Sequence, residues 1–140
     1  MPAEPTADKG SAWSRQVGAV WYEGTPGVGR LHLDVEERHT NNDGSLHGGV
    51  IASLMDSAAG AALNNLFRDK PEVTGYASIE MNLSFLRPVR AGDRITVEAR
   101  VLKAGRTLAV AEVEVAAPSG ELAAKGRLTY YVFRRGEGAA

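Results

Sequence analysis

The sequence predicts an α+β domain in which one long central helix is wrapped by a curved antiparallel β-sheet, in the order β-β-α-β-β-β-β. Three observations carry this. A proline-free stretch from about Leu46 to Phe67 is long and apolar enough for a core helix. Four segments after Thr74 switch to an apolar period of two. No second long helical pattern is present to cover the sheet's other face, so the sheet must curl round the helix it has.

The elements follow in chain order. Residues 1–10 (MPAEPTADKG) and 136–140 (GEGAA) offer little to bury and are expected to fray, leaving one domain over 11–135. β-prone stretches at Val17–Tyr22 and Val28–Val35 flank EGTPG, whose Gly24, Pro26 and Gly27 supply turn chemistry for a first hairpin. A polar, glycine-rich loop, HTNNDGSLHGG, then leads into the helix. The helix carries Val50, Ile51, Leu54, Met55, Ala58, Ala59, Ala62, Leu63 and Leu66 around most of its circumference, which predicts burial nearly all round. Asp56 at its middle, with Asn64 and Asn65 near its end, argues against a membrane span. The strands are SIEMNLSF, RITVEARV, LAVAEVEV and LAAKGRLTYYVF. RPVRAGD, KAGR and APSG between them are turns of the kind that join antiparallel neighbours. With a single helix available, part of the sheet's apolar surface is expected to meet another copy of the chain, giving a homo-oligomer.

Composition removes several function classes. The chain has 140 residues, enough for one core. Sixteen Lys and Arg against 17 Asp and Glu, with 6% aromatics, leave no basic patch for nucleic acid. Cysteine is absent, which excludes disulfides, thiol nucleophiles and cysteine-ligated zinc. The N-terminus lacks an apolar signal core, so a cytoplasmic address and no membrane partner are expected.

The residues that could carry chemistry lie at the start and middle of the helix. Gly48 and Gly49 open it, where the first N–H groups lack intrahelical partners and the helix dipole leaves partial positive charge. Such a pair either serves a flexible turn or receives an oxyanion, because no Cβ bars a carbonyl from the backbone. A carboxylate at Asp56 in an apolar helix needs compensation. It is either a buried ion pair or hydrogen-bonded group, or a general base or nucleophile. Eight residues of helix separate Gly48 from Asp56, roughly 12 Å at the α-helical rise. If both act on one ester they come from different subunits, and a twofold dimer with two antiparallel helices side by side carries two composite sites. The histidines, His32, His39 and His47, have no metal-ligand spacing, so no metal is expected. His47 is read as bracing the loop before the helix and His32 as a strand residue. No GxSxG elbow and no GxxxxGK[ST] loop is present.

The stretch HTNNDGSLHGGVIASLMD, from His39 to Asp56, resembles the signature of hotdog-fold acyl-CoA thioesterases of the phenylacetate-pathway type. EMNLSFLRPVRAGDRITVEARVLKAGRTLAVAEVEV and the closing AAKGRLTYY are similar to that family's sheet. The resemblance implies a hotdog fold, a homotetramer built as a dimer of dimers, and hydrolysis of acyl- or aryl-CoA with no cofactor beyond the CoA of the substrate. It implies that the Gly48 N–H, assisted by Asn41, polarises the thioester carbonyl. Asp56 of the partner subunit is then general base or nucleophile, and Ser78 orients the water. It further implies substrate contacts from His47, Gly49 and the turn Lys103, Ala104, Gly105, Arg106, Thr107, Leu108. Arg87, Arg90 and Arg106 are phosphate candidates by charge alone. Asn42 and Asp43 make the loop more polar than in many relatives, and Tyr76 and Phe85 bear on the acyl pocket. A hotdog hydratase or dehydratase, which needs His47 in the cleft, and a non-catalytic acyl-CoA binder are the alternatives.

Overall fold

A computed structural model describes residues 5–6 and 10–136. The elements are β1 (Pro5–Thr6), α1 (Ala12–Val17), β2 (Val20–Tyr22), β3 (Val28–Asp34), α2 (Gly48–Leu66), β4 (Val73–Phe85), β5 (Arg94–Ala104), β6 (Leu108–Ala116) and β7 (Leu122–Arg134), with one turn of 3-10 helix at Glu37–His39. Every strand pairing is antiparallel, in the order β1-β2-β3-β5-β6-β7-β4. The expected six strands and long helix are all present. Within the segment expected to fray, Pro5 and Thr6 pair with Tyr22 and Trp21. The rest of residues 1–9, and the tail from 137, lie outside the described residues.

Two expectations about local structure are corrected. Val17 does not open a strand; it closes α1, which Ser11 caps by accepting from the Ser14 N–H. Gly18 then ends the helix at φ 90, a left-handed conformation natural to glycine. RPVRAGD does not join neighbouring strands either. β5 takes its place beside β3, and β4 lies at the far edge against β7. The segment crosses the mouth of the fold, with Val89 buried and its carbonyl accepting from the Leu46 N–H at 2.7 Å.

α2 lies across the sheet's inner face and touches β3, β5, β6, β7 and β4. Ile51, Leu54, Met55, Ala58, Ala59, Ala62 and Leu63 are its buried face, packed on Leu31, Leu33, Ile95, Val97, Ala109, Ala111, Val113, Leu128 and Val132. Burial all round does not hold in the single chain: Ala52, Ser53, Asp56, Ser57, Gly60 and Ala61 are only half covered. The small residues explain how closely the helix sits. At Gly29 a Cβ would lie 2.3 Å from the Ala58 carbonyl oxygen, so glycine is what lets β3 reach the helix backbone. No helix among the described residues is long and apolar enough to cross a membrane.

Candidate active site

The loop before α2 is built by its own polar side chains. Thr40 and Leu46 bridge across it, the Asn41 N–H donates to the Ser45 carbonyl at 2.8 Å, and Gly44 turns the chain at φ 82. Asp43 Oδ1 accepts from the Ser45 N–H and hydroxyl, at 2.9 and 2.6 Å, which holds its carboxyl below the usual range. Asn41 Oδ1 accepts from the Asp43 N–H at 3.2 Å and lies 3.2 Å from the Ser45 hydroxyl, whose single proton goes to Asp43, leaving the Asn41 amide hydrogens uncommitted among the described residues. Arg90 pins the loop from outside by donating to the Asp43 carbonyl at 2.7 Å.

This loop sets the first turn of α2. His47 is the N-cap, and its Nδ1 accepts from the Gly49 N–H at 2.8 Å, which is the bracing role expected of it. The N–H groups of Val50 and Ile51 both reach the His47 carbonyl. Of this turn's amides only the Gly48 N–H has no partner among the described residues. Gly48 lines a cleft of about 260 Å³ together with Ser45, Leu46, Ile51, Phe85, Arg87 and Val89, among others. An unpaired amide at a helix N-terminus, beside an apolar ring and open to an oxygen, is suited to stabilise developing negative charge.

Asp56 does not line that cleft. It sits two turns down α2, where Oδ1 accepts from the Tyr130 hydroxyl at 2.6 Å. Tyr130 is 3% exposed and stands edge-on to Tyr76, with ring centroids 5.9 Å apart. Tyr76 in turn donates to the Gly60 carbonyl at 2.8 Å. Burial, and then the neighbouring Asp56 charge, push both phenols up, Tyr130 far above its ordinary value because it also donates to that carboxylate. Ser78 lies directly opposite Tyr130 in the β4–β7 ladder and therefore on the same face, just before an irregularity at Ile79.

The remaining expected residues lie elsewhere in the chain. Lys103–Leu108 caps the other end of the sheet, with the Thr107 carbonyl accepting from Val132 and the Arg106 carbonyl from Arg134. Lys103 and Ala104 share a surface hollow with Leu66 at the C-terminal end of α2. Arg87 is paired with Glu121 at 2.6 Å. One chain therefore brings together Asn41, His47, Gly48 and Gly49 at one end of the helix, holds Asp56 at its middle through Tyr130, whose ladder partner is Ser78, and leaves the turn beyond the far end. The sequence reading missed Tyr130. No pattern in LTYYVF separates a tyrosine that grips a carboxylate 74 positions earlier from an ordinary strand aromatic.

Comparison with known proteins bears on what this arrangement does. The model of the family "Thioesterase superfamily" matches residues 43–124. Acyl-coenzyme A thioesterase 13 of Mus musculus is 41% identical over 101 residues, covering 71% of this chain and 69% of that protein. The crystal structure of zebra fish thioesterase superfamily member 2 superposes with a TM-score of 0.76 at 35% identity, covering 90% of this chain and 89% of that one. The PaaI protein from the phenylacetic acid degradation operon of E. coli shares the fold, with a TM-score of 0.80 over 88% of this chain and 85% of that one, at 24% identity.

Proposed function

The chain belongs to the thioesterase superfamily, and from that membership and the site's geometry we infer that it is an acyl-CoA thioesterase, hydrolysing acyl- or aryl-CoA thioesters to free CoA and a carboxylic acid. The observation that carries the mechanism is the Gly48 N–H, which has no partner among the described residues and belongs to a residue lining a cleft of mixed polar and apolar character. Attack on the thioester carbon puts negative charge on the carbonyl oxygen, and a preorganised amide at a helix N-terminus stabilises that charge where it develops. Asn41 adds its amide hydrogens. Asp56 of the partner subunit either takes a proton from the attacking water or attacks the carbon itself. Ser78 holds the water beside it, and the thiolate leaves readily, so no stronger acid is needed.

Support for a shared site comes from distance and from surface. Within one chain Gly48 and Asp56 are roughly 12 Å apart along the helix, too far to act on one carbonyl. β4 is a 13-residue strand with only β7 beside it among the described residues, and Ile79 (59%), Phe85 (54%) and Leu86 (50%) are exposed on and just after it. A long edge strand with unpaired backbone groups and exposed apolar side chains is a template for a second copy. A twofold that sets two α2 helices antiparallel brings each Gly48 toward the other chain's Asp56, and the same operation brings the Lys103–Leu108 turn of the mate to that end, where it can meet the coenzyme. Tyr131 and Phe133, with ring centroids 5.0 Å apart on the outer face, are where a second dimer would join to form the tetramer. His47 is engaged as the helix cap, which favours hydrolysis over the hydratase reading.

The test is release of free CoA from short, medium and long acyl-CoAs and from phenylacetyl- and hydroxybenzoyl-CoA. Asp56→Ala is expected to abolish release while the assembly persists in size-exclusion. Unchanged turnover would remove Asp56 from the mechanism.

A further inference from the structure

We propose that Tyr130 is the positioning residue for Asp56, its phenol holding Oδ1 so that Oδ2 is the oxygen turned to the reaction. The inference rests on Asp56 being the acting carboxylate, as argued above. The hydroxyl donates to Oδ1 at 2.6 Å, a short charge-assisted bond, while Oδ2 makes no hydrogen bond among the described residues. A buried tyrosine needs an acceptor, but Tyr130 has one without the carboxylate, since the Asp56 backbone oxygen is also 3.0 Å away. The bond to Oδ1 therefore serves the carboxylate more than the phenol.

The surroundings are built for it. Tyr130 stands between Ala109 of β6 and Ser78 of β4, and it is braced edge-on by Tyr76. Tyr76 anchors to the helix one turn beyond Asp56 through the Gly60 carbonyl. Two phenols from adjacent strands thus grip one turn of α2, which fixes the carboxylate's rotation and gives its outer oxygen a single direction. Ser78 shares that face as Tyr130's direct partner in the β4–β7 ladder. A carboxylate free to rotate would spend most of its time misaligned with a reacting carbon.

Tyr130→Phe removes one oxygen from a packed ring, and the full-length protein is assayed with the fastest CoA ester of the panel above. Loss of a hydrogen bond to a charged group predicts a kcat lower by about 10- to 100-fold at a temperature where the variant is folded, with KM within about twofold, oligomer size retained and melting temperature lower by about 10 °C at most. 4-Aminophenylalanine at position 130, which restores a donor on the same ring, is expected to recover most of kcat. 4-Fluorophenylalanine, which fills the space without a proton to give, should behave as Phe does and stands in for it if Phe does not fold. In an Asp56→Asn background the Phe change should have no further effect on the residual rate. A Tyr130→Phe enzyme with wild-type kcat, beside an inactive Asp56→Asn, would overturn the positioning role alone. A fully active Asp56→Asn would overturn the mechanism it rests on.

Discussion

Gly29→Ala, a change outside the site, tests how the fold holds Asp56. The added Cβ would sit 2.3 Å from the Ala58 carbonyl oxygen and 2.7 Å from the Ala62 nitrogen, both helix backbone that no rotamer change can move. An ordinary carbon-to-oxygen contact is about 3.3 Å, so α2 must lift by about 1 Å at Ala58. Replacing a strand glycine otherwise gains about 0.5–1 kcal/mol from the unfolded chain, whereas overpacking costs about 1–3 kcal/mol or more, so the net effect is a loss. For a chain of this length that net loss, up to about 2.5 kcal/mol, is a fall in melting temperature of up to about 10 °C. Ala58 is two residues from Asp56, and a shift of about 1 Å in a reacting group costs about 100-fold in rate. Gly75→Ala is the control: its Cβ would lie 3.9 Å from the Phe133 ring, an ordinary contact, and both readouts should stay near wild type. Thermal melts and steady-state CoA release are measured on both variants. A Gly29→Ala protein that melts with the wild type, or that melts early yet keeps full kcat, would refute the argument that the β3–α2 contact sets the carboxylate's place.

Two further predictions follow from single groups. Pro at position 48 deletes the N–H that has no partner among the described residues, in a first-turn position that tolerates proline, and His47 at φ -63, ψ 132 already has the extended backbone that precedes a proline. Gly48→Pro should therefore melt near wild type while kcat falls by about 100- to 1000-fold, and retained kcat would remove the amide from the mechanism. His32 is buried, with Tyr22 Oη 2.6 Å from its Nδ1, and its pKa lies below 6.5 through desolvation first and then the charge of Arg94. The unfolded histidine takes up a proton at higher pH than the folded one, so stability falls as pH drops from the unfolded value through the lowered folded one. The urea midpoint should decline from about pH 7.5 to about pH 5.5, less steeply in His32→Gln; parallel curves for the two proteins would contradict this.

What the chain revealed in advance, and what it hid, divides by range. The loop HTNNDGSLHGG and the helix after it were legible because caps and turns are local chemistry: His47 and Gly48 mark the helix start in sequence as they do in space. α1 was hidden because AWSRQV is too short to show a period, and Val17 reads equally well as the start of a strand. The place of β4 was hidden because the turn chemistry of RPVRAGD says nothing of a crossing from one sheet edge to the middle. Helix burial was overestimated because an apolar residue need not be covered within one chain: Ala52, Asp56 and Gly60 are only half covered, and theirs is the face that the proposed dimer would bury. Asp56 stood out as a charge in an apolar helix, but its partner Tyr130 could be found only from the register that sets β7 against β4 and β6.

The claim that each site is shared between two copies is tested most directly by mixing two inactive variants. Asp56→Asn keeps an intact helix N-terminus, and Gly48→Pro keeps an intact carboxylate. Unfolded together in equal amounts and refolded, half the dimers are mixed, and each mixed dimer holds one complete site of two. CoA release should recover to about a quarter of the wild-type rate. A mixture as inactive as either parent, with mixed dimers confirmed by mass, would place amide and carboxylate in separate sites and contradict the account.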